Sequence, residues 1–289
     1  MENSAGRTEA TLRFLGTGTS MGVPTLGCDC AVCASADPRD RRLRPSALVE
    51  WTEANSDGAE RSRRVVIDTG PDFREQALAA GLRELDAVIY THSHADHILG
   101  LDDLRPLSFQ HEDRTGEPIP LYVSEETRAV MEHVFSYTFS QGATYSHRAR
   151  VELRGIDDGV TVGGLRFEPV RVMHGAMEIV GLRFGRAAYL TDVSAIPEAS
   201  FERLQGLDVL VLSALRHRPH PSHATVEQAI EWAQRIGARQ TWLTHISHDL
   251  GHAETDGMLP DGVAMAWDGL QVRFALECGS DGCESGCRA

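Results

Sequence analysis

The chain has 289 residues, with 42 acidic against 28 basic side chains and a formal net charge of -14. That length can bury a substantial core and lies near the upper limit for a single one, so one domain is expected over 1–276. Such acidity disfavours non-specific nucleic-acid binding, and no apolar run reaches the roughly 18 residues that a membrane helix needs.

In chain order, residues 11–15 read as a strand running into the glycine turn Gly16-Thr17-Gly18. Segments 46–51 and 64–68 read as paired strands across a polar, arginine-rich loop 52–64. Residues 71–80 read as a helix with proline near its first turn and Gly81 as its stop. The apolar strand 87–90 follows, then a helix near 102–109, a strand 119–123 and a helix 125–135. The polar, aromatic-dotted stretch 136–150 is a candidate loop or lid. Strands are expected at 151–156, 165–173, 179–184, 187–191, 209–212 and 240–244, with a helix at 225–235. Segments 263–267 and 271–276 read as a hairpin around Asp268-Gly269. Residues 277–289, rich in Gly, Ser and Cys, read as a flexible tail. There is no internal repeat. Strands dominate and helices punctuate, an α/β pattern compatible with two sheets packed face to face and helices outside.

Strand 87–90 delivers Thr91-His92-Ser93-His94-Ala95-Asp96-His97, four potential metal ligands within six residues. Convergent lone pairs at the end of a buried strand are best satisfied by a cation. His92 and His94 can meet one ion, and Asp96 and His97, past the turn, a second. Three later strands each end on a further ligand: His174, Asp192 and His245. A pair of divalent ions needs a bridging carboxylate. Asp192 fits the bridge, His92, His94 and His174 one ion, and Asp96, His97 and His245 the other. His174 or His245 alone would read as an ordinary core or surface histidine; the HxHxDH array reverses that. His111, His133, His147 and His252 lack such context and are expected at the surface.

Six cysteines form two clusters, Cys28/Cys30/Cys33 and Cys278/Cys283/Cys287. Odd-numbered, tightly spaced groups suit thiolate ligation better than disulfides. The first trio follows a glycine-rich loop and leaves a tetrahedral zinc one ligand short, which His248 can supply. The second lacks a fourth ligand and reads as tail.

The HSHADH array with its later His, Asp and His, and the upstream Ile67-Asp68-Thr69-Gly70, resembles the metallo-β-lactamase superfamily. The resemblance runs from Phe14 to about Phe274. It implies an αββα sandwich of two mixed sheets with outer helices, and a dinuclear centre at the sheet edge. It also implies that Asp68 orients the ligand loop, although a plain turn aspartate before glycine reads equally well. The opening Gly16-Thr17-Gly18-Thr19-Ser20-Met21-Gly22-Val23-Pro24, the cysteines and Thr244-His245-Ile246-Ser247-His248 are similar to one branch. That branch holds the phosphoribosyl 1,2-cyclic phosphate phosphodiesterase of the carbon–phosphorus lyase pathway. A structural Cys3His zinc carries over onto Cys28, Cys30, Cys33 and His248, while loop 52–64 and the tail cysteines depart from the pattern.

The expected activity is a metal-dependent phosphodiesterase acting on a small, cyclic diester through a hydroxide bridging two zinc or manganese ions. In the resembled branch the histidine before the next helix contacts phosphate; His223 holds that position, and His220 is the second choice. Capping of the helix by Ser222 and Thr225 is the alternative use of this segment. A tRNA 3′-processing endonuclease would need a basic arm, which the acidic chain lacks. An accessory protein of pyrroloquinoline quinone synthesis would carry a degraded metal motif. The start of the chain lacks the apolar stretch of a secretory signal, so a cytoplasmic location is expected. A homodimer is an admissible assembly, with no nucleic-acid or membrane partner.

Overall fold

The computed structural model describes residues 9–54, 59–140 and 147–276. The tail with Cys278, Cys283 and Cys287, and residues 141–146 of the candidate lid, lie outside them.

Strands β1 (Glu9–Gly16), β2 (Ser46–Ala54), β3 (Glu60–Ile67), β4 (Ala87–Ile89), β5 (Ile119–Val123) and β6 (Val151–Gly155) form one sheet, joined by β14 (Gln271–Ala275). Its order is β14-β1-β2-β3-β4-β5-β6, antiparallel up to β3 and parallel beyond it. The second sheet contains β7 (Val160–Val162), β8 (Leu165–His174), β9 (Met177–Phe184), β10 (Ala187–Leu190), β11 (Val209–Ser213), β12 (Gln240–Thr244) and β13 (Val263–Met265), paired in that sequence. Every residue of β10 and β11 is buried, as strands covered on both faces require.

The helices are α1 (Phe73–Ala80), α2 (Ala95–Ile98), α3 (Arg105–Thr115), α4 (Glu125–Val134), α5 (Ser136–Phe139), α6 (Glu198–Glu202), α7 (Val226–Ile236) and α8 (His252–Asp256). Three apolar layers account for the architecture. Phe14, Val49 and Ile67 meet Phe167, Leu182 and Tyr189 between the sheets. Leu48, Val66 and Val88 pack outward on Phe73, Leu104 and Met131. Leu190, Leu210 and Leu212 pack outward on Phe201, Val226 and Ala229. The result is the expected αββα sandwich.

Several expectations need correcting. Segments 263–267 and 271–276 are not a hairpin, because β13 pairs with β12 and β14 with β1, in different sheets. Asp268-Gly269 does turn the chain, but the Asp268 carboxylate accepts from Thr17 N, Thr17 Oγ1 and Leu43 N at 2.7–2.8 Å, which ties the crossing to the glycine loop. Most of 52–64 is strand, since β2 runs to Ala54 and β3 starts at Glu60. Cross-strand pairs Arg63–Glu53 (2.7 Å) and Arg64–Glu50 (3.1 Å) stabilise it without apolar alternation. His111 and His252 are buried, at 8% and 1% exposure. His111 Nδ1 donates to Leu85 O (2.8 Å), and the His252 ring lies edge-on to Trp267. His133 and His147 are exposed, as expected.

Candidate metal centre

The candidate ligands sit on one rim of the sandwich, at the carboxyl ends of β4, β8, β10 and β12. Three residues there have positive φ without being glycine: Asp68 (61°), Asp192 (59°) and His245 (56°). Asp and His tolerate this left-handed region better than most residues, and packing must hold them there. Each follows a strand and turns a side chain back toward the rim. Close approach explains Gly70, where a Cβ would lie 2.0 Å from Asp96 O, so the Asp68 turn abuts the ligand turn.

The ligand atoms of His92, His94 and His174 lie within 4.8 Å of one another, as do those of Asp96, His97, Asp192 and His245. A third group joins His174, Asp192 and His223 under the same limit, so Asp192 belongs to two groups. Its Oδ2 is 3.2 Å from His97 Nε2, and its Oδ1 is 3.1 Å from His245 Nε2. Asp96 Oδ2 is 3.3 Å from His97 Nε2. Two ligands at ~2.0–2.1 Å from a tetrahedral cation are ~3.3 Å apart, so these spacings match edges of one coordination shell.

The orphaned nitrogens decide between a cation site and plain hydrogen bonding. His92 Nε2, His97 Nε2 and His245 Nε2 are buried, yet none makes a hydrogen bond of acceptable geometry. The opposite ring nitrogen is held on His92 and His97, while His245 Nδ1 is buried without a hydrogen-bond partner as well. His97 Nδ1 donates to Asp68 Oδ2 (2.7 Å), and His174 Nδ1 donates to Ser222 O (2.6 Å). Thr91 Oγ1 gives its proton to Asp68 Oδ2 (2.8 Å), so it accepts from His92 Nδ1 (3.0 Å). These contacts set Nδ1–H tautomers and aim Nε2 lone pairs into the cluster. The residues present fit divalent cation binding. Thr91, the Ser222 carbonyl and Thr191, whose Oγ1 donates to Asp192 Oδ2 (2.7 Å), were missed in the sequence; a threonine directly before a candidate ligand was the available signal for the two threonines.

The protonation pattern agrees. Burial, with the nearby His97 charge, keeps His92 well below the ordinary imidazole range. Burial and His245 push His223 down to about 3. Burial opposes charge on His97 and His245 too, but Asp192 outweighs it, holding His97 well above the usual value and His245 at about 9. Those two protons stand where a cation would.

His223 lies just before α7, which starts at a capping box of Thr225 and Gln228. Its ring stacks on His245 (4.7 Å) and contacts His174 (4.6 Å), with its side chain 12% exposed toward solvent. His220 lies beside it, ring centroids 5.0 Å apart, outside every ligand cluster.

A second cluster holds Cys28, Cys30, Cys33 and His248. Their Sγ atoms are 3.2, 3.7 and 3.4 Å from His248 Nδ1. Zinc–sulfur and zinc–nitrogen bonds of ~2.3 and ~2.0–2.1 Å give tetrahedral S···N edges of ~3.6 Å, so the group fits a zinc ion. The cluster is tied to the main site. Ile246 N donates to Thr17 O (2.9 Å), and Thr19 N to Ile246 O (3.2 Å). Buried Arg42 pairs with Asp40 (2.8 Å) and donates to Ser247 O (2.9 Å) and Leu250 O (2.8 Å), bracketing His248.

An αββα sandwich with convergent histidines and carboxylates at one rim defines the class, a metal-dependent hydrolase. The Beta-lactamase superfamily domain matches residues 63–246. The chain belongs to the metallo-β-lactamase superfamily, in its PhnP branch. A crystal structure described as a new diphosphatase from the PhnP family superposes with TM-score 0.84 at 52% identity, over 94% of this chain and 100% of that one. An octanoyltransferase of Porphyromonas gingivalis is 38% identical over 263 residues, 90% of this chain and 50% of that protein. The chain therefore spans about half the length of that relative. A ribonuclease Z of Anoxybacillus flavithermus is 26% identical, over 82% of this chain and 86% of that one.

Proposed function

We propose that the protein is a dinuclear metal-dependent phosphodiesterase acting on a small, cyclic phosphodiester. The observation that carries the dinuclear reading is the position of Asp192, which groups with Asp96, His97 and His245 and also with His174, a member of the other histidine set, and His223. His92, His94 and His174 would hold one ion, Asp96, His97 and His245 the other, with Asp192 between them. Two zinc or manganese ions there would activate water and neutralise charge on the phosphoryl oxygens. Cys28, Cys30, Cys33 and His248 would hold a structural zinc that lends folding energy.

His223, its side chain 12% exposed beside His174 and His245, is assigned to neither ion. Neutral at pH 7, it can donate a hydrogen bond to a phosphoryl or departing oxygen. His220 stands behind it as a second contact. Asp68 orients His97 directly and His92 through Thr91. A small substrate is favoured over tRNA because the chain carries a net charge of -14. An accessory role is disfavoured because all seven ligand positions of the rim are intact.

Similarity to a PhnP-family diphosphatase favours one second reading, cleavage of a diphosphate. Both substrates present an anionic tetrahedral phosphorus with a departing oxygen, so the same cations and His223 serve either. The test is turnover of bis(p-nitrophenyl) phosphate, cyclic phosphodiesters and diphosphate compounds by protein loaded with manganese or zinc. Cyclic diesters cleaved faster than diphosphates support the leading reading, and the reverse order supports the second. Failure on all three, with metal bound, overturns both.

A further inference from the structure

An aspartate that bridges two cations must hold its carboxylate plane at one angle. The backbone does not set that angle, since the last torsion of Asp is broad. At Asp192 the left-handed φ of 59° aims the Cα–Cβ bond, and one hydroxyl contact remains to set the plane. Thr191 Oγ1 donates to Asp192 Oδ2 at 2.7 Å, with Thr191 1% and Asp192 2% exposed. The close neighbours of the two carboxylate oxygens otherwise include His97 Nε2, His245 Nε2 and His223 Nδ1, imidazole nitrogens of the cluster.

We propose that Thr191 is a positioning residue that locks the Asp192 carboxylate in its bridging orientation. The assignment rests on the dinuclear reading. An ionised carboxylate offers about four lone-pair sites. With others given to cations, the Thr191 hydroxyl would occupy a further one on Oδ2. That pins rotation about the Cβ–Cγ bond and keeps Oδ1 turned toward His245. Both carboxylate oxygens face nitrogens of the Asp96/His97/His245 set, so loss of the contact weakens that ion more than the other. Threonine also suits the place structurally, because its methyl fills a site closed to water.

The test compares Thr191→Ser, Thr191→Ala and Thr191→Val by native mass spectrometry and chelator competition with manganese and zinc. Serine and alanine both lack the methyl and differ only in the hydroxyl, so their comparison stands even if the valine variant folds poorly. The expected result is a roughly 10–100-fold loss of affinity for one of two rim ions in the alanine and valine variants. Serine should restore it, and zinc at the cysteine cluster should be unchanged throughout. Two rim ions held equally tightly by all variants would overturn the role of Thr191 alone. Wild-type protein that takes up no ion beyond the cysteine cluster would overturn the dinuclear reading, and this assignment with it.

Discussion

Asp68 Oδ2 accepts from His97 Nδ1 at 2.7 Å, and both side chains are wholly buried. The same carboxylate accepts from Thr91 N and Thr91 Oγ1, both at 2.8 Å, so one residue steadies His97 and, through Thr91, His92. Replacing Asp68 with Ala removes both supports. Metal affinity should fall roughly 10–100-fold, read by chelator competition. Asp68→Asn should fall between, because its amide can accept at one atom only.

Asp192→Ala should abolish phosphodiester turnover while leaving far-UV circular dichroism unchanged. The expectation follows from its place in two ligand groups. Retained activity with both ions bound would rule out a bridging role.

Cys30→Ser should act on stability before chemistry. Its sulfur faces His248 Nδ1 at 3.7 Å, and loss of zinc would free the loop that Arg42 and Ile246 anchor. A lowered melting temperature with one fewer zinc per chain is expected, with activity falling second. An unchanged melt would count against the structural zinc.

Metal uptake at the rim should release protons at neutral pH, because Asp192 holds a proton on His245 up to about pH 9 in the protein without cations. A cation displaces that proton, so each displaced proton makes apparent affinity climb about tenfold per pH unit as pH rises. The gain from His245 should level off above pH 9 or so. Calorimetry in buffers of different ionisation heat counts the protons directly.

Burial pushes Asp268 up to about 6, against the pull of its bonds to Leu43 N and Thr17. A carboxyl raised in the folded state stabilises it while protonated. That contribution is full below its unfolded value and is lost as pH rises through 6. Relative to Asp268→Asn, the wild type should gain about 1 kcal/mol between about pH 8 and pH 5, measured by urea unfolding.

The clustering of the candidate rim residues was legible because His92, His174, Asp192 and His245 come at the ends of strand-like runs, and four of the candidates lie within six residues. The layering was legible for the same reason, since strand and helix periods differ. The β13–β14 misreading has a physical cause. An Asp-Gly pair signals reversal, but the sheet each segment joins depends on partners near residues 12 and 241. Charged residues of 52–64 looked like loop because cross-strand ion pairs leave no apolar alternation. His111 and His252 looked like surface because the carbonyl and indole that receive them are far away in sequence or unsignalled by it.

Residue types and their local spacing determined the chemistry of this protein: imidazoles and carboxylates at the ends of buried strands, and thiolates in the loop after β1, all of which suit cations. Only the tertiary structure decided which ring nitrogens face the cluster, and that the Thr91 and Thr191 hydroxyls contact His92 and Asp192. Lone-pair direction is a matter of angles among elements up to 150 or more positions apart, such as His92 and His245. Those angles exist only once the two sheets have packed.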